Sequence, residues 1–392
     1  MTSPKTGHTD DLAKVLERFS EVATTTVKED AEATDREARW PERGIQELLT
    51  AGLAGLVVPQ RYGGLGHGLL ALARACETVG QECASTAICF GMHCVGSSVI
   101  AARATPHQTA TYLRPISEGR HLTTLALSEP GTGAHFYYPH TRLSTAGDDD
   151  LIIDGEKTFV TNGTHADSYV VSVMREDERE LAQFSCVIVD KNLDGMSWGS
   201  QWQGFGMRGN DSRGLKLDSV RISRDNLLGS EGDQIWYVFN VVAPYFLMAM
   251  SGVYLGVAST ALALARDHLL NREHSHTNTR LGDSTVLQNC YAVLWSKLES
   301  TRRLVFDAAS RFDQGDPDAV ISVLASKAEV ADVATETVNN VMTLMGGLAY
   351  RDGSQVQRLL RDVRAAHVMA PTTELLRTWV GRMLLGKPPL GS

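Results

Sequence analysis

The stretch DGEKTFVTNGTHAD, residues 154 to 167, lies within the part of the chain that decides the fold. On both sides of it are short runs rich in β-branched residues, at 122–127, 151–153, 169–173 and 184–189. Runs of this length and composition are typical of β-strands, and the glycine, aspartate and asparagine residues between them are typical of turns. The sequence therefore predicts a central β-sheet domain that covers residues 121–232.

Both flanks of this domain have the residue spacing of helices. From Leu12 to Val27, apolar residues recur every three or four positions, as on one face of an amphipathic helix. Pro41 is suited to begin a second helix, and Gly52 to follow its end. From residue 233 onward, strand signals disappear and long helical patterns take over. We therefore expect an α+β protein with an N-terminal α-helical domain at 1–120 and a C-terminal α-helical bundle at 233–392.

The composition is that of a folded protein that does not bind nucleic acid. Of the 392 residues, 43% are hydrophobic and 21% are charged. The net charge of -9 gives no electrostatic attraction for DNA, RNA or an anionic membrane. The six cysteines contain no Cys-x-x-Cys pair, so we expect them to be reduced. Met1 to Asp11 lack the basic and apolar regions of a signal peptide, and we expect a cytoplasmic protein.

One uncharged run, Val241 to Ala265, is long enough to cross a bilayer. It contains Pro244, Gly252 and Gly256, and no belt of cations flanks it. A buried helix in a bundle or at a subunit interface is the better interpretation, so we expect no membrane association.

Five blocks carry a resemblance that extends over nearly the whole chain. They are GLAGLVVPQRYGGLG (52–66), ALSEPGTGAH (126–135), DGEKTFVTNGTHAD (154–167), GMRGNDSRGLKLDSVRI (206–222) and GGLAYRDGSQVQRLLRDVR (346–364). In this order they resemble the acyl-CoA dehydrogenase family. The resemblance implies an oxidoreductase that binds FAD and acts on an acyl thioester.

The block ALSEPGTGAH is the first predicted flavin contact. Its glycines allow a close approach of the backbone to a ligand, and Ser128 offers a hydroxyl group. The resemblance implies that Leu127, Ser128, Gly133 and Ala134 contact FAD. From the residues alone, the block could equally be a tight turn between strands.

In the sequence TFVTNG, the resemblance implies that Phe159 stacks on the flavin and that Thr161 bonds the reactive edge of its ring. Both residues also have high β propensity and could be ordinary strand residues. Thr372, near the C-terminus, is a further cofactor contact that the resemblance implies.

Other FAD contacts are expected to reach a neighbouring subunit. Gly346 and Gly347 follow a long helical pattern, which by itself indicates a helix cap. The resemblance adds a contact with the partner's FAD, for which Arg280 and Gln288 are further candidates, although their spacing departs from the family pattern and Arg272 is an alternative. A homodimer or homotetramer is therefore expected.

The catalytic carboxylate of the family is missing from the sequence. Its usual position, after the block that ends in RDVR, is Ala370, which cannot accept a proton. In members with the base on a helix, counting from Gly256 gives Phe246 and counting from Asn226 gives Tyr245. The remaining candidates for a base are Glu374, Tyr245 and His367.

No metal site is expected. The pairs His135 with His140 and His274 with His276 have no acidic partners at ligand spacing.

The missing carboxylate leaves three functions open. The first is an FAD-dependent oxidoreductase for an unusual acyl thioester, linked to CoA or to an acyl-carrier protein, in specialised metabolism and not in fatty acid β-oxidation. Its electron acceptor would be an electron-transfer flavoprotein or oxygen. The alternatives are a reduced-flavin-dependent monooxygenase on the same fold and a non-redox lyase that retains FAD.

Overall fold

The computed structural model of the chain describes residues 11–175, 184–232 and 234–390. Residues 1–10, which belong to the stretch where we predict no signal peptide, lie outside the described residues. So does residue 233, where the C-terminal domain is predicted to begin.

The N-terminal third is helical. Its helices are α1 (Leu12–Val22), α2 (Lys28–Arg36), α3 (Glu42–Leu48), α4 (Leu69–Glu82), α5 (Ala84–Ala102), α6 (Pro106–Gln108) and α7 (Arg114–Ser117). A π-helical turn, Ala23–Val27, joins α1 to α2, so the predicted first helix continues nine residues beyond its predicted end. Gly52 has a φ of 73°, in the left-handed region that favours glycine, where the chain turns after α3.

The described residues in the middle of the chain form one eight-stranded sheet. Its strands are β1 (Thr123–Ala126), β2 (Arg142–Thr145), β3 (Asp150–Val160), β4 (Ser168–Arg175), β5 (Phe184–Asp190), β6 (Met196–Trp198), β7 (Arg213–Ser223) and β8 (Leu227–Leu228). The order is β6-β7-β3-β2-β4-β5-β8, and β1 also pairs with β4.

Strands β1 and β2 share one edge of β4, and both run parallel to it. β1 pairs with Ser168 to Val171, and β2 follows with pairs to Met174 and Arg175. The chain therefore leaves the sheet between the two strands, and residues 127–141 form a loop at this edge. This loop contains the first predicted flavin contact.

The C-terminal part is again helical. It contains α8 (Gln234–Tyr237), α9 (Ala243–Asn271), the short strands β9 (Glu273–His274) and β10 (Thr279–Arg280), and then α10 (Thr285–Asp313), α11 (Ala319–Met345), α12 (Gly347–Tyr350), α13 (Gln355–Val363), α14 (Ala365–Val368) and α15 (Thr373–Leu384). The predicted class, helical, β and helical in that order, is confirmed. The domain boundaries at 120 and 232 stay predictions.

Helix α9 explains the uncharged run in the sequence. It packs against α4, α5, α10 and α11, so it has no face in water along most of its length. A Cβ atom on Gly252 would lie 2.2 Å from the carbonyl oxygen of Ala73, and one on Gly256 would lie 2.4 Å from that of Glu77. The glycines therefore permit the close packing of α9 on α4.

In the part of the chain that the structure describes, two helices are long and apolar enough to cross a membrane. They are Ala84–Ala102 and Val238–Asn271, and their most apolar windows are 100% and 89% buried inside the protein. Core helices of this kind pass the same test of length and composition. The buried-helix interpretation of residues 241–265 agrees with this burial.

A buried ion pair holds the loop 127–141 against the sheet. Lys157 of β3 places Nζ 2.5 Å from Oε1 of Glu129 and also donates to the carbonyl and hydroxyl oxygens of Ser172 on β4. Glu129 further accepts hydrogen bonds from Thr141 Oγ1 at 2.6 Å and from the backbone N–H groups of Thr141 and His140. One carboxylate thus closes both ends of the loop.

The carboxylate of this pair is ionised. Burial acts to raise the pKa of Glu129, but the attraction of Lys157 and the hydrogen bonds outweigh it, and the pKa is lowered. Removing one partner would leave the other charge buried without compensation.

We expect Glu129→Gln to lower the free energy of unfolding by about 3–5 kcal/mol, because Lys157 keeps its buried charge without a counterion. The double variant with Lys157→Met should recover part of this loss. Urea denaturation of the apoprotein, followed by circular dichroism, measures both.

The matched control is the exposed pair Lys297 and Glu336, whose side chains are 46% and 43% exposed. Glu336→Gln should cost about 1 kcal/mol or less. Equal losses for Glu129→Gln and Glu336→Gln would contradict the role of the buried pair.

Candidate active site

A cavity of about 570 Å³ lies between the sheet and the C-terminal helices. It is bounded by the loop 127–141, the end of β3, the loop before β7, the start of α9 and the segment from α13 to α15. Most of its walls are apolar. A cavity of this size and lining is typical of sites for small molecules and cofactors.

The loop 127–141 forms one wall. Leu127, Ser128, Gly133 and Ala134 all line the cavity, so the four predicted contacts of this block lie together. The carbonyl oxygen of Ser128 accepts a hydrogen bond from the N–H of Thr158 at 2.8 Å, which ties the loop to β3. Gly133 has a φ of 55°, and no atom lies within 4 Å of the place where a Cβ would stand.

A bulge in β3 turns Phe159 outward. The pairing of β3 with β7 shifts between Lys157 and Val160, and Phe159 between them has a φ of 55°. Its side chain lines the cavity yet is 65% exposed, with the ring edge-on to Trp202 at 6.1 Å between centroids. A positive φ is strained for a bulky residue, and such strain concentrates at functional sites. The geometry favours a ligand contact over an ordinary strand residue.

The same segment brings two threonines to the cavity. Thr161 shares a hydrogen bond with Ser212, with 3.1 Å between the hydroxyl oxygens. The hydroxyl of Thr158 is buried and has no hydrogen-bond partner within the described residues. A buried hydroxyl without a partner costs free energy unless a ligand or water satisfies it.

The opposite wall is helical. The cavity is lined here by Arg361 of α13, Arg364 between α13 and α14, and Val368 of α14, and residues Met369–Thr372 continue this wall. The hydroxyl of Thr372 accepts from the N–H of Leu375 at 3.4 Å and caps α15. Ala370, the predicted position of the family's base, also lies in this wall.

None of the three candidate bases lines the cavity. Glu374 is exposed on the first turn of α15. The ring nitrogen Nδ1 of His367 lies 3.2 Å from the hydroxyl of Thr373. Tyr245 lies beside Ser98 and Asp313, and burial raises its pKa to about 12. Among the described residues, none of these three side chains therefore lines the cavity wall that contains Ala370.

Among the described residues that line the cavity, Glu129 carries the only carboxylate, and Lys157 and the loop backbone engage it. The alternative base position is also apolar. Phe246 lines the cavity, whereas Tyr245 and Leu247 do not, which favours the count from Gly256.

The other predicted FAD contacts lie away from the cavity. Gly346 ends α11 with a φ of 61° and donates its N–H to the carbonyl oxygen of Met342, so it is a helix cap. Gly347 has open space around it. Arg280 and Gln288 are exposed, and the amide of Gln288 donates to the carbonyl of Gly282. Their contact with the FAD of a second copy stays a prediction.

The sequence interpretation missed several lining residues. Thr158, Ser212 and Arg361 lie inside the quoted blocks, so their position was available as a signal. Met92, on α5, could not be predicted from the sequence. Residues are buried on every side of this helix, so the sequence does not indicate which side chain faces a cavity.

Comparisons with known proteins agree with this architecture. Models of the acyl-CoA dehydrogenase N-terminal, middle and C-terminal domains match residues 9–120, 124–220 and 246–385. The chain belongs to the acyl-CoA dehydrogenase family. It is therefore an oxidoreductase and a flavoprotein, with FAD as cofactor.

Similar members of the family span almost the same length. A cyclohex-1-ene-1-carbonyl-CoA dehydrogenase of Geobacter metallireducens is 28% identical over 96% of this chain and 98% of its own. A solved structure from work on the electron transferring flavoprotein of Acidaminococcus fermentans is 26% identical to this chain and has a TM-score of 0.91. The match covers 97% of this chain and 100% of that chain. The butyryl-CoA dehydrogenase of Megasphaera elsdenii, at 24% identity and a TM-score of 0.91 over the same shares, has the same fold.

The cavity fits the flavin of this family. The unpartnered hydroxyl of Thr158 can serve a polar ring atom, the open space at Gly133 admits a close approach, and Phe159 offers a ring for stacking. The assignment of individual residues to FAD stays a prediction.

Within the described residues, no three His, Cys, Asp or Glu side chains cluster so as to hold a metal ion. His135 bonds the hydroxyl of Tyr137 at 2.7 Å. The rings of His274 and His276 contact each other on the surface. That the enzyme uses no metal stays a prediction.

We expect Phe159→Ala to raise the dissociation constant of FAD by about tenfold, because stacking of aromatic rings contributes ~0.5–1.5 kcal/mol beyond the area that it buries. The melting temperature of the apoprotein should stay unchanged, since the side chain is 65% exposed. Ultrafiltration with free flavin measures the dissociation constant.

Phe205→Ala is the matched control, because Phe205 also lines the cavity and is 70% exposed but is not a predicted stacking residue. Equal weakening of FAD binding by both variants would contradict the assignment of Phe159.

Proposed function

We propose that this enzyme oxidises an unusual acyl thioester, linked to CoA or to an acyl-carrier protein, in specialised metabolism and not in fatty acid β-oxidation. One observation carries the proposal: the described walls of the cavity hold no free carboxylate. Ala370 and Phe246 occupy the two places where family members carry the base.

The missing base restricts the reaction. A general base must lie within hydrogen-bond reach of the proton that it removes. Glu129 lines the cavity, but Lys157 and three hydrogen bonds from the loop engage its oxygens and lower its pKa, so it is a poor acceptor. We therefore infer a substrate that loses its hydride without an enzymic carboxylate, such as one with nitrogen on the oxidised carbon, whose lone pair assists the step.

The residues around the cavity support an acyl group as ligand. Met92, Val242 and Phe246 supply apolar side chains from α5 and from the segment that leads into α9. These side chains exclude water from the cavity and fit the hydrocarbon portion of an acyl group. Bound FAD supplies the hydride acceptor. The Geobacter relative, whose name specifies a CoA thioester, supports a thioester as the substrate class.

The acceptor and assembly are part of the same proposal. An electron-transfer flavoprotein or oxygen would reoxidise the enzyme, which we place in the cytoplasm. A homodimer or homotetramer is supported by exposed apolar side chains on α10, where Val286 is 68% and Trp295 is 51% exposed. Association would bury these side chains.

A flavin monooxygenase is the second candidate, and the same absence of a base favours it, because reaction of reduced flavin with oxygen needs no carboxylate at Ala370. Rapid mixing of the reduced protein with oxygen separates the two functions. A flavin hydroperoxide absorption would support the monooxygenase, and slow reoxidation without this absorption would contradict it.

The direct test is anaerobic titration with a panel of acyl-CoA and acyl-carrier-protein thioesters. We expect an unusual thioester to bleach the visible absorption of the flavin and simple straight-chain acyl-CoA to leave it unchanged. Bleaching by any thioester excludes a non-redox lyase that merely retains FAD. Rapid bleaching by straight-chain acyl-CoA would overturn the proposed substrate class.

We expect Ala370→Glu to increase the rate of flavin reduction by a simple acyl-CoA by about a hundredfold, since a positioned general base contributes ~10²–10⁴-fold. Ala370→Gln, with the same length but no basic oxygen, is the control. An equal increase in both variants would show that shape, and not proton abstraction, causes the effect.

A further inference from the structure

A short segment between α14 and α15 forms the cavity wall at the usual base position. We call residues Met369–Thr372 the strap. All four residues line the cavity. They are not part of a helix or strand, so the backbone of the strap depends on other elements for its hydrogen bonds.

One buried lysine supplies two of these hydrogen bonds. The adjoining helices supply others, from the N–H of Met369 to the carbonyl of Ala365 and from the N–H of Leu376 to the carbonyl of Thr372. Lys327, on α11, has no exposed surface. Its Nζ lies 2.9 Å from the carbonyl oxygen of Pro371 and 3.3 Å from that of Met369. The two carbonyl groups on either side of Ala370 are therefore fixed from behind the cavity wall.

A tyrosine holds the same segment by its side chain. The hydroxyl of Tyr254, on α9, lies 3.3 Å from Sδ of Met369. Both anchors belong to long helices of the bundle, whereas the strap belongs to the cavity. Of the two anchors, only Lys327 can carry a positive charge.

No carboxylate forms an ion pair with Lys327 within the described residues. Burial lowers its pKa to about 8, and the attraction of Glu374, on α15, opposes this shift. His367, on α14, is the other titratable group that faces it. A buried ammonium that bonds only neutral carbonyls is costly, and both of its partners lie in the wall of the flavin cavity.

We propose that Lys327 is a positioning residue of the flavin site, whose ammonium group holds the strap so that Ala370 and Thr372 face the cofactor, and whose loss of a proton loosens that hold. The inference rests on the FAD of the family and on the cavity, and not on the proposed substrate class. Its test therefore uses flavin binding and flavin spectra, without any thioester.

The sign of the pH effect follows from the hydrogen bonds. Below about pH 8, the ammonium makes charge-assisted bonds to both carbonyls; above it, the neutral amine makes weaker ones. We expect FAD to bind more tightly on the acidic side, and the visible spectrum of bound flavin to change with a midpoint near pH 8.

The experiment compares Lys327→Met, Lys327→Arg and Tyr254→Phe with the wild type across the neutral and alkaline range. Lys327→Met should raise the dissociation constant of FAD by about tenfold at neutral pH and abolish the spectral midpoint. Lys327→Arg should retain FAD, because it remains charged, and should also lack the midpoint. Tyr254→Phe should keep the midpoint, since it alters the strap without removing the titrating group.

Lys297→Met, on the surface of α10, is the control for removal of a lysine. If Lys327→Met does not fold, as judged by melting of the apoprotein, Lys327→Arg provides the same test through its spectrum. A midpoint near pH 8 that persists in either Lys327 variant would overturn the proposal. So would FAD binding by a folded Lys327→Met variant that equals binding by the wild type.

Discussion

The ion pair between Lys157 and Glu129 is the interaction on which the flavin cavity depends. A loop of fifteen residues leaves the sheet between β1 and β2, and its backbone polar groups would cost free energy if they were buried without partners. Glu129 satisfies two backbone N–H groups and one hydroxyl at the end of this loop. Its counterion comes from β3, two residues before Phe159. The same contact therefore fixes the loop and the bulge that form adjoining walls of the site.

The opposite wall depends on contacts between parts of the chain that are far apart in sequence. Arg361 bonds both carboxylate oxygens of Asp35 on α2 and the carbonyl oxygen of Phe205. The next residue, Asp362, accepts from the N–H of Met207 at 2.7 Å, and burial raises its pKa to about 6. A Cβ on Gly206 would lie 2.2 Å from the carbonyl oxygen of Arg361, so glycine is required there. Helix α2, the loop before β7 and helix α13 thus meet beside the cavity.

The sequence was informative where residue type alone determines the local structure. Glycine at 133 indicated the loop, and the run at 151–153 indicated the start of β3, although that strand continues to Val160. The predicted contacts Ser128, Phe159 and Thr161 all line one cavity. The bulge at Phe159 could not be foreseen, because it arises from a shift in pairing with β7, some fifty residues later.

Positions on helices were harder to predict than positions on strands. A one-residue uncertainty on α9 left Tyr245 and Phe246 as alternatives, and a rotation of one residue on a helix moves a side chain by about 100°. The packing of α9 decides the matter, since only Phe246 lines the cavity. The predicted contacts of Arg280 and Gln288 with FAD involve a second copy of the chain, whose position a single sequence does not give.

The shared edge of β4 has a consequence for how this fold can diversify. Because β1 and β2 pair with separate parts of one strand, the sheet keeps its register whatever the chain does between them. Anchorage at Glu129 and Thr141 leaves residues 130–139 outside the ladder. Phe136 and Tyr137 remain tied to the helical core, where Tyr137 packs on Trp379 at 5.9 Å between ring centroids. Evolution or protein engineering can therefore change the exposed positions of this segment while the sheet stays the same.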